Sequence, residues 1–252
     1  ETREIWEKTY KPIYQSYALH LDADAIIKHH AQLKAQGKWI FLTGLESIEA
    51  LRKLLGDVTS MMSMAEDPEW IIDISRTYTD ALLGGLDQIM TLGVKPDGLW
   101  VYGDMAYNHA TMCSPAMYRE LIWPDHKRIA DWAHQHDMKF IFHTDGDVNG
   151  VLDLYHEAGF DCLQPLEAKA NMDIRKIGPT HGKVMTWMGN IDAMVLGTND
   201  KQQIEAEVRS KLEAGMANNG YIYHSDHSVP PGVSLESYKF VIELLDRFGN
   251  YQ

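Results

Sequence analysis

The chain has 252 residues, with 36 acidic against 23 basic side chains and a formal net charge of −13, so its surface repels phosphate and nucleic acid is excluded as a partner class. Hydrophobic residues make up 45% and charged residues 23%, a balance that builds a core and excludes disorder as the main state. No apolar run reaches the roughly 20 residues needed to cross a bilayer, ETREIWEKTY has no signal-peptide pattern, and Cys113 and Cys162 make no disulfide framework, so a soluble, cytoplasmic protein away from membranes is expected.

In chain order, residues Glu1–Lys38 read as helical. Six short β-rich runs follow, each closed by a polar or glycine-containing turn: Trp39–Thr43, Leu99–Tyr102, Lys139–Phe142, Cys162–Leu166, Val184–Met188 and Tyr221–Tyr223. Helical spacing occupies Ser47–Leu55, Pro68–Leu92, Pro115–Gln135 with a break at Pro124, Val148–Ala158, Lys201–Asn218 and Ser234–Phe248. Asp67-Pro68 and Ser114-Pro115 each place a capping side chain before a proline, whose missing N–H is harmless at the first helical position.

Strand and helix alternate without a linker, which predicts one α/β domain over residues 1–252 with a parallel sheet. An open nucleotide-binding sheet needs a glycine-rich turn, and neither GxGxxG nor GxxxxGK[ST] occurs. The strand ends instead carry ionisable groups: Glu46, Asp104, His143 with Asp145, Glu167, Asp192, and His224 with Asp226 and His227. That distribution predicts a (β/α)8 barrel of the TIM type, whose active site lies at the carboxyl ends of its strands. The six strands are two short of eight, and the first residue is Glu rather than Met, so an N-terminal segment outside this chain is expected to supply the missing strands.

FIFHTDG is the most informative stretch, because residues two apart on a strand share a face and His143 and Asp145 then look into one pocket. Imidazole and carboxylate at that spacing can hold a metal; equally, Asp145 can cap the next helix with His143 hydrogen-bonded to it. His224, Asp226 and His227 ahead of Pro230-Pro231 can supply a third ligand or form a rigid polar loop with one histidine buried. Asp104 and Glu167 can bind a cation or act as general acid or base, although Asp104 also suits a turn cap and Glu167 suits an ion pair with Lys169. His29, His30, His126, His134 and His136 lie on helices among charged neighbours, which reads as solvated helix surface. No GxSxG elbow occurs and neither cysteine has a base nearby in sequence, so covalent nucleophilic catalysis is unsupported.

The ordered segments GLWVYGDMAY, SPAMYRELIWPDHKRI, FIFHTDG, AGFDCLQPLEAKANMDI, GNID and HSDHSVPPGVSLESYKFVIELL resemble the uroporphyrinogen decarboxylase superfamily, above all its branch of corrinoid-linked methyltransferases. The resemblance implies a TIM-type barrel and places the zinc ligands of that branch, a His-x-Cys pair and a later Cys, at His143, Asp145 and His227. Both thiolates are replaced by harder donors, which implies a stronger Lewis acid and different acceptor chemistry. It further implies zinc or another divalent metal as cofactor, a corrinoid on a partner protein as methyl acceptor, and a small methoxy or methylamine compound as methyl donor. In this reading Asp104 and Glu167 are catalytic, Tyr107, Glu46 and Asp226 bind substrate, and the protein is a candidate homo-oligomer. The competing activity is a cofactor-free decarboxylase in which Asp104 stabilises a protonated pyrrole-like intermediate. A catalytically dead barrel acting as a scaffold is the non-enzymatic alternative, and the ionisable strand ends argue against it.

Overall fold

The computed structural model describes residues 2–217 and 220–251. The chain divides into two compact units that interleave along the sequence. Glu1–Asp104, Met112–Phe142 and Glu157–Phe160 form the first, and Met105–Thr111, His143–His156 and Asp161–Gln252 the second.

In the first unit, β1 (Phe41–Leu45) and β2 (Gly98–Tyr102) pair in parallel, in register from Phe41 opposite Gly98 to Leu45 opposite Tyr102. The start of β5 (Lys139–Thr144) follows β2 in the sheet order. β1 begins two residues later than its sequence suggests because Asp97 intervenes: its carboxylate accepts from Ile40 N at 2.7 Å, while Ile40 O accepts from Asp97 N at 2.6 Å. Helix Pro68–Met90 buries Trp70, Ile71, Ile74 and Leu86 along one side, and Asp67 caps it by accepting from Trp70 N at 3.2 Å. The helical stretch after Ser114 breaks at Ile122, so that Pro124 falls in the first turn of helix Trp123–Gln135, where its missing N–H is tolerated.

The second unit holds a short antiparallel hairpin, β3 (Ala106–Tyr107) with β4 (Ala110–Thr111), that the strand reading missed because each arm is only two residues long. The end of β5 is followed in the sheet by β6 (Cys162–Pro165), β7 (Thr186–Met188) and β8 (Tyr221–Ile222). β6 pairs with β7, and β7 with β8, in parallel. Close approach of β6 and β7 demands Gly189, at φ +123°, since a Cβ there would sit 1.9 Å from Pro165 O. Helix Lys201–Met216 is shorter than expected from sequence, and the expected last residue, Asn218, lies outside the described residues, as does Glu1 of the N-terminal helical stretch. Among the described residues no helix is long and apolar enough to cross a membrane.

Candidate functional site

His143 and Asp145 come off the end of β5 in the second unit with ligand atoms within 4.8 Å of each other. The spacing of two predicted this, and the surroundings explain how the pair is held. His143 Nδ1 is hydrogen-bonded to the amide oxygen of Gln164 on β6. That contact orients the imidazole, as an outer partner does for a ligating histidine. Gly146 turns the chain at φ +85°, and a Cβ there would meet Ala106 backbone at 2.5 Å, so only glycine fits. Its N–H donates to Glu167 Oε2 at 2.8 Å, and Glu167 Oε1 faces Lys169 Nζ at 3.1 Å, the ion pair anticipated from sequence. The β3–β4 hairpin is tied to the same turn, Met105 N donating to Thr144 Oγ1 at 3.0 Å and Asp147 N to Tyr107 O at 2.9 Å. Tyr107 stands 58% exposed on that hairpin.

Asp226 lies fully buried beyond β8, accepting from Ala193 N at 2.9 Å and Ala168 N at 3.1 Å. Burial raises its pKa, although the two amide bonds oppose the rise. It therefore ties together the loops after β6 and β7 instead of facing solvent. His227 is exposed and does not belong to the set of ligand atoms lying within 4.8 Å around His143 and Asp145. Its backbone carbonyl accepts from Ser225 Oγ at 2.6 Å, and the residue borders a cavity of about 410 Å³ shared with Tyr223, His224 and Tyr238.

Sequence reasoning missed a further polar cluster in this unit. Asn190, the asparagine of GNID, is completely buried and fully bonded: Oδ1 accepts from Lys211 Nζ at 2.6 Å and Ile174 N at 2.9 Å, while Nδ2 donates to Leu166 O at 2.7 Å and to Met172 O. Lys211, 1% exposed, also donates to Asp173 Oδ1 at 3.0 Å. Burial disfavours the Asp173 carboxylate, but hydrogen bonds from Arg175 and Lys211 outweigh it and hold its pKa well below the usual carboxylate range. A lysine in the run EVRSKLEAG reads as solvated, so only the asparagine in a strand-end motif could have hinted at the cluster.

In the first unit, Glu46 sits at the end of β1 with 0% exposure and caps helix Ser47–Leu55, accepting from Ile48 N at 2.8 Å and Glu49 N at 2.9 Å. Its Oε2 is also 2.7 Å from His126 Nε2, and His126 Nδ1 is 2.8 Å from the Tyr118 hydroxyl. This corrects the reading of His126 as helix surface: the ring is 1% exposed, enclosed by Tyr118, Phe142 and Phe160. Gly103 leaves room for Glu46, whose carboxylate a Cβ would meet at 2.0 Å. Asp104, the last residue of this unit, accepts from the Tyr102 hydroxyl at 3.2 Å. Burial pushes the Cys113 thiol up to about 11 and the Cys162 thiol up to about 12, which leaves neither as a thiolate nucleophile at neutral pH.

Residues 47–248 match the family model described as uroporphyrinogen decarboxylase (URO-D). A solved structure of a methyltransferase from Methanosarcina mazei is similar over 98% of this chain and 67% of its own, with a TM-score of 0.67 and 18% identity. At that identity the likeness shows the fold, an α/β chain of the TIM-type barrel class with a parallel sheet. No curated protein matches.

Proposed function

We propose, from the premise that this chain belongs to the uroporphyrinogen decarboxylase (URO-D) family, that it is a metal-dependent methyltransferase moving a methyl group from a small methoxylated or methylated compound to a corrinoid on a partner protein. The observation that carries the reading is the His143–Asp145 pair, with the His143 ring oriented by Gln164. Imidazole and carboxylate together fit zinc or another divalent cation, and His227 stands outside their ligand set. When bound, such an ion supplies Lewis-acid help to a poor leaving oxygen or nitrogen. The similar structure from Methanosarcina mazei bears the name methyltransferase, which agrees with this branch of the family.

The chain's own residues have distinct tasks in this reading. Glu167 holds the turn that carries the ligand pair through Gly146 N–H. Tyr107, exposed on the hairpin, meets the substrate directly. Asp226, fully buried, supports substrate binding in the second unit by holding Ala193 N and Ala168 N in the loops after β7 and β6.

The second reading, a cofactor-free decarboxylase, draws on the description of the matching family model. One assay separates the two. Methyl transfer from a panel of methoxylated and methylated compounds to a reduced corrinoid should be abolished by chelation and by His143→Ala, and zinc should restore the chelated wild type. Decarboxylation of a tetrapyrrole that survives both chelation and His143→Ala would overturn the methyltransferase reading in favour of the decarboxylase.

A further inference from the structure

The loop from Leu166 to Ile174 carries Glu167, and its backbone is held in an uncommon shape. Leu166 and Asn171 both adopt positive φ, +59° and +64°, a region that side-chain-bearing residues seldom occupy without support. The support comes from Asn190. Its two amide protons hold Leu166 O and Met172 O, and its oxygen takes Ile174 N, so one side chain pins the loop at its start, near its end and at the helix that follows. Lys211 fills the remaining acceptor position of Asn190 and thereby fixes which way the amide points. Asp173 and Glu207 flank the lysine, Asp173 at 3.0 Å and Glu207 at 3.9 Å.

Glu167 in turn holds Gly146 N, one residue beyond Asp145. A continuous run of hydrogen bonds therefore leads from Lys211 through Asn190 and the Glu167 loop to the turn that aims the ligand pair. We infer that Asn190 and Lys211 are positioning residues for the metal pair, acting through the Glu167 loop. The inference rests on the metal reading of His143 and Asp145. Outer partners of a ligating residue tune affinity without touching the ion, and losing one typically weakens binding by about 10–100-fold.

Asn190→Asp is the discriminating variant, since it keeps acceptors for Lys211 and Ile174 N but removes both donors to the loop carbonyls. Asn190→Ala removes all four bonds. Leu212→Ala, 2% exposed on the same helix as Lys211, is the control that loosens packing alone. The full chain and each variant are titrated with Co²⁺, following its visible bands, and backbone hydrogen exchange is recorded over residues 166–174. The expected result is about 10–100-fold weaker Co²⁺ binding in Asn190→Asp with faster exchange in that loop, and an unchanged Co²⁺ affinity in Leu212→Ala despite its lower stability.

A folded Asn190→Asp that binds Co²⁺ as the wild type does would overturn the inference. So would an equal loss of affinity in Leu212→Ala, which would reduce the effect to general destabilisation. Failure of Asn190→Ala to fold leaves the decision to Asn190→Asp. Absence of Co²⁺ binding by the wild type itself is a separate outcome: it would remove the metal reading, and this inference with it.

Discussion

Glu46 is a carboxylate with no exposure to water, held by two helix amides and one imidazole. Removing His126 leaves Oε2 with fewer partners in a site water does not reach, and an unsatisfied buried polar group costs about 1–3 kcal/mol. His126→Ala is therefore expected to lower the unfolding free energy by at least about that amount, with a cavity adding to it, as measured by urea denaturation. Asp173 gives a test with a defined pH window. Its folded-state pKa lies below its unfolded value near 3.9, so it contributes stability above that value and loses the contribution as pH falls through the folded pKa. Asp173→Asn should be less stable at pH 7 and should show a shallower decline below about pH 4 in urea midpoints measured across the acid range. The His143–Asp145 pair was legible because a period of two is a local property of a strand. His126 and Lys211 were not, because their burial depends on Glu46, eighty positions away, and on Asn190, twenty-one positions away.

At the scale of elements, the reading of strands and helices succeeded where hydrophobic period and capping residues agree. Helix Ser47–Leu55 has the bounds expected of it, and helix Pro68–Met90 starts where Asp67-Pro68 places it. The six expected strands all appear, and within each unit their order in the sheet follows their order in the chain, as the alternating pattern implies. Their ends shift by a residue or two because pairing is decided by the neighbour: Asp97 delays β1, and β8 stops at Ile222. Helices Asp57–Glu66 and Ile174–His181 went unread; the first mixes Ser and Met over weakly amphipathic spacing, and the second contains Pro179. Gly189 offers the sharpest test at this scale. Gly189→Ala would force a Cβ against Pro165 O, backbone against backbone, at a φ that alanine rarely adopts. We expect it to disrupt the β6–β7 pairing and to destabilise the protein by more than about 3 kcal/mol, seen as a large fall in the urea midpoint.

At the scale of the whole molecule, the net charge of −13 argues against phosphate-rich partners. Membership of the uroporphyrinogen decarboxylase family establishes the type of barrel, and folds of this type host many chemistries, so the reaction must be argued from the strand-end residues. In this chain both thiolate positions of the corrinoid-linked resemblance hold harder donors, Asp145 and His227. Asp145→Cys should keep zinc on the protein while moving its acceptor preference toward the thiol chemistry of that branch, which methyl-transfer assays with alternative acceptors would reveal. Elemental analysis of the purified wild type, His143→Ala and Asp145→Ala decides whether His143 and Asp145 hold a metal. We predict about one equivalent of zinc or another divalent metal in the wild type, and loss of that metal from both variants with the urea midpoint retained. Equal metal content in all three proteins, or none in any after growth with added zinc, would contradict it.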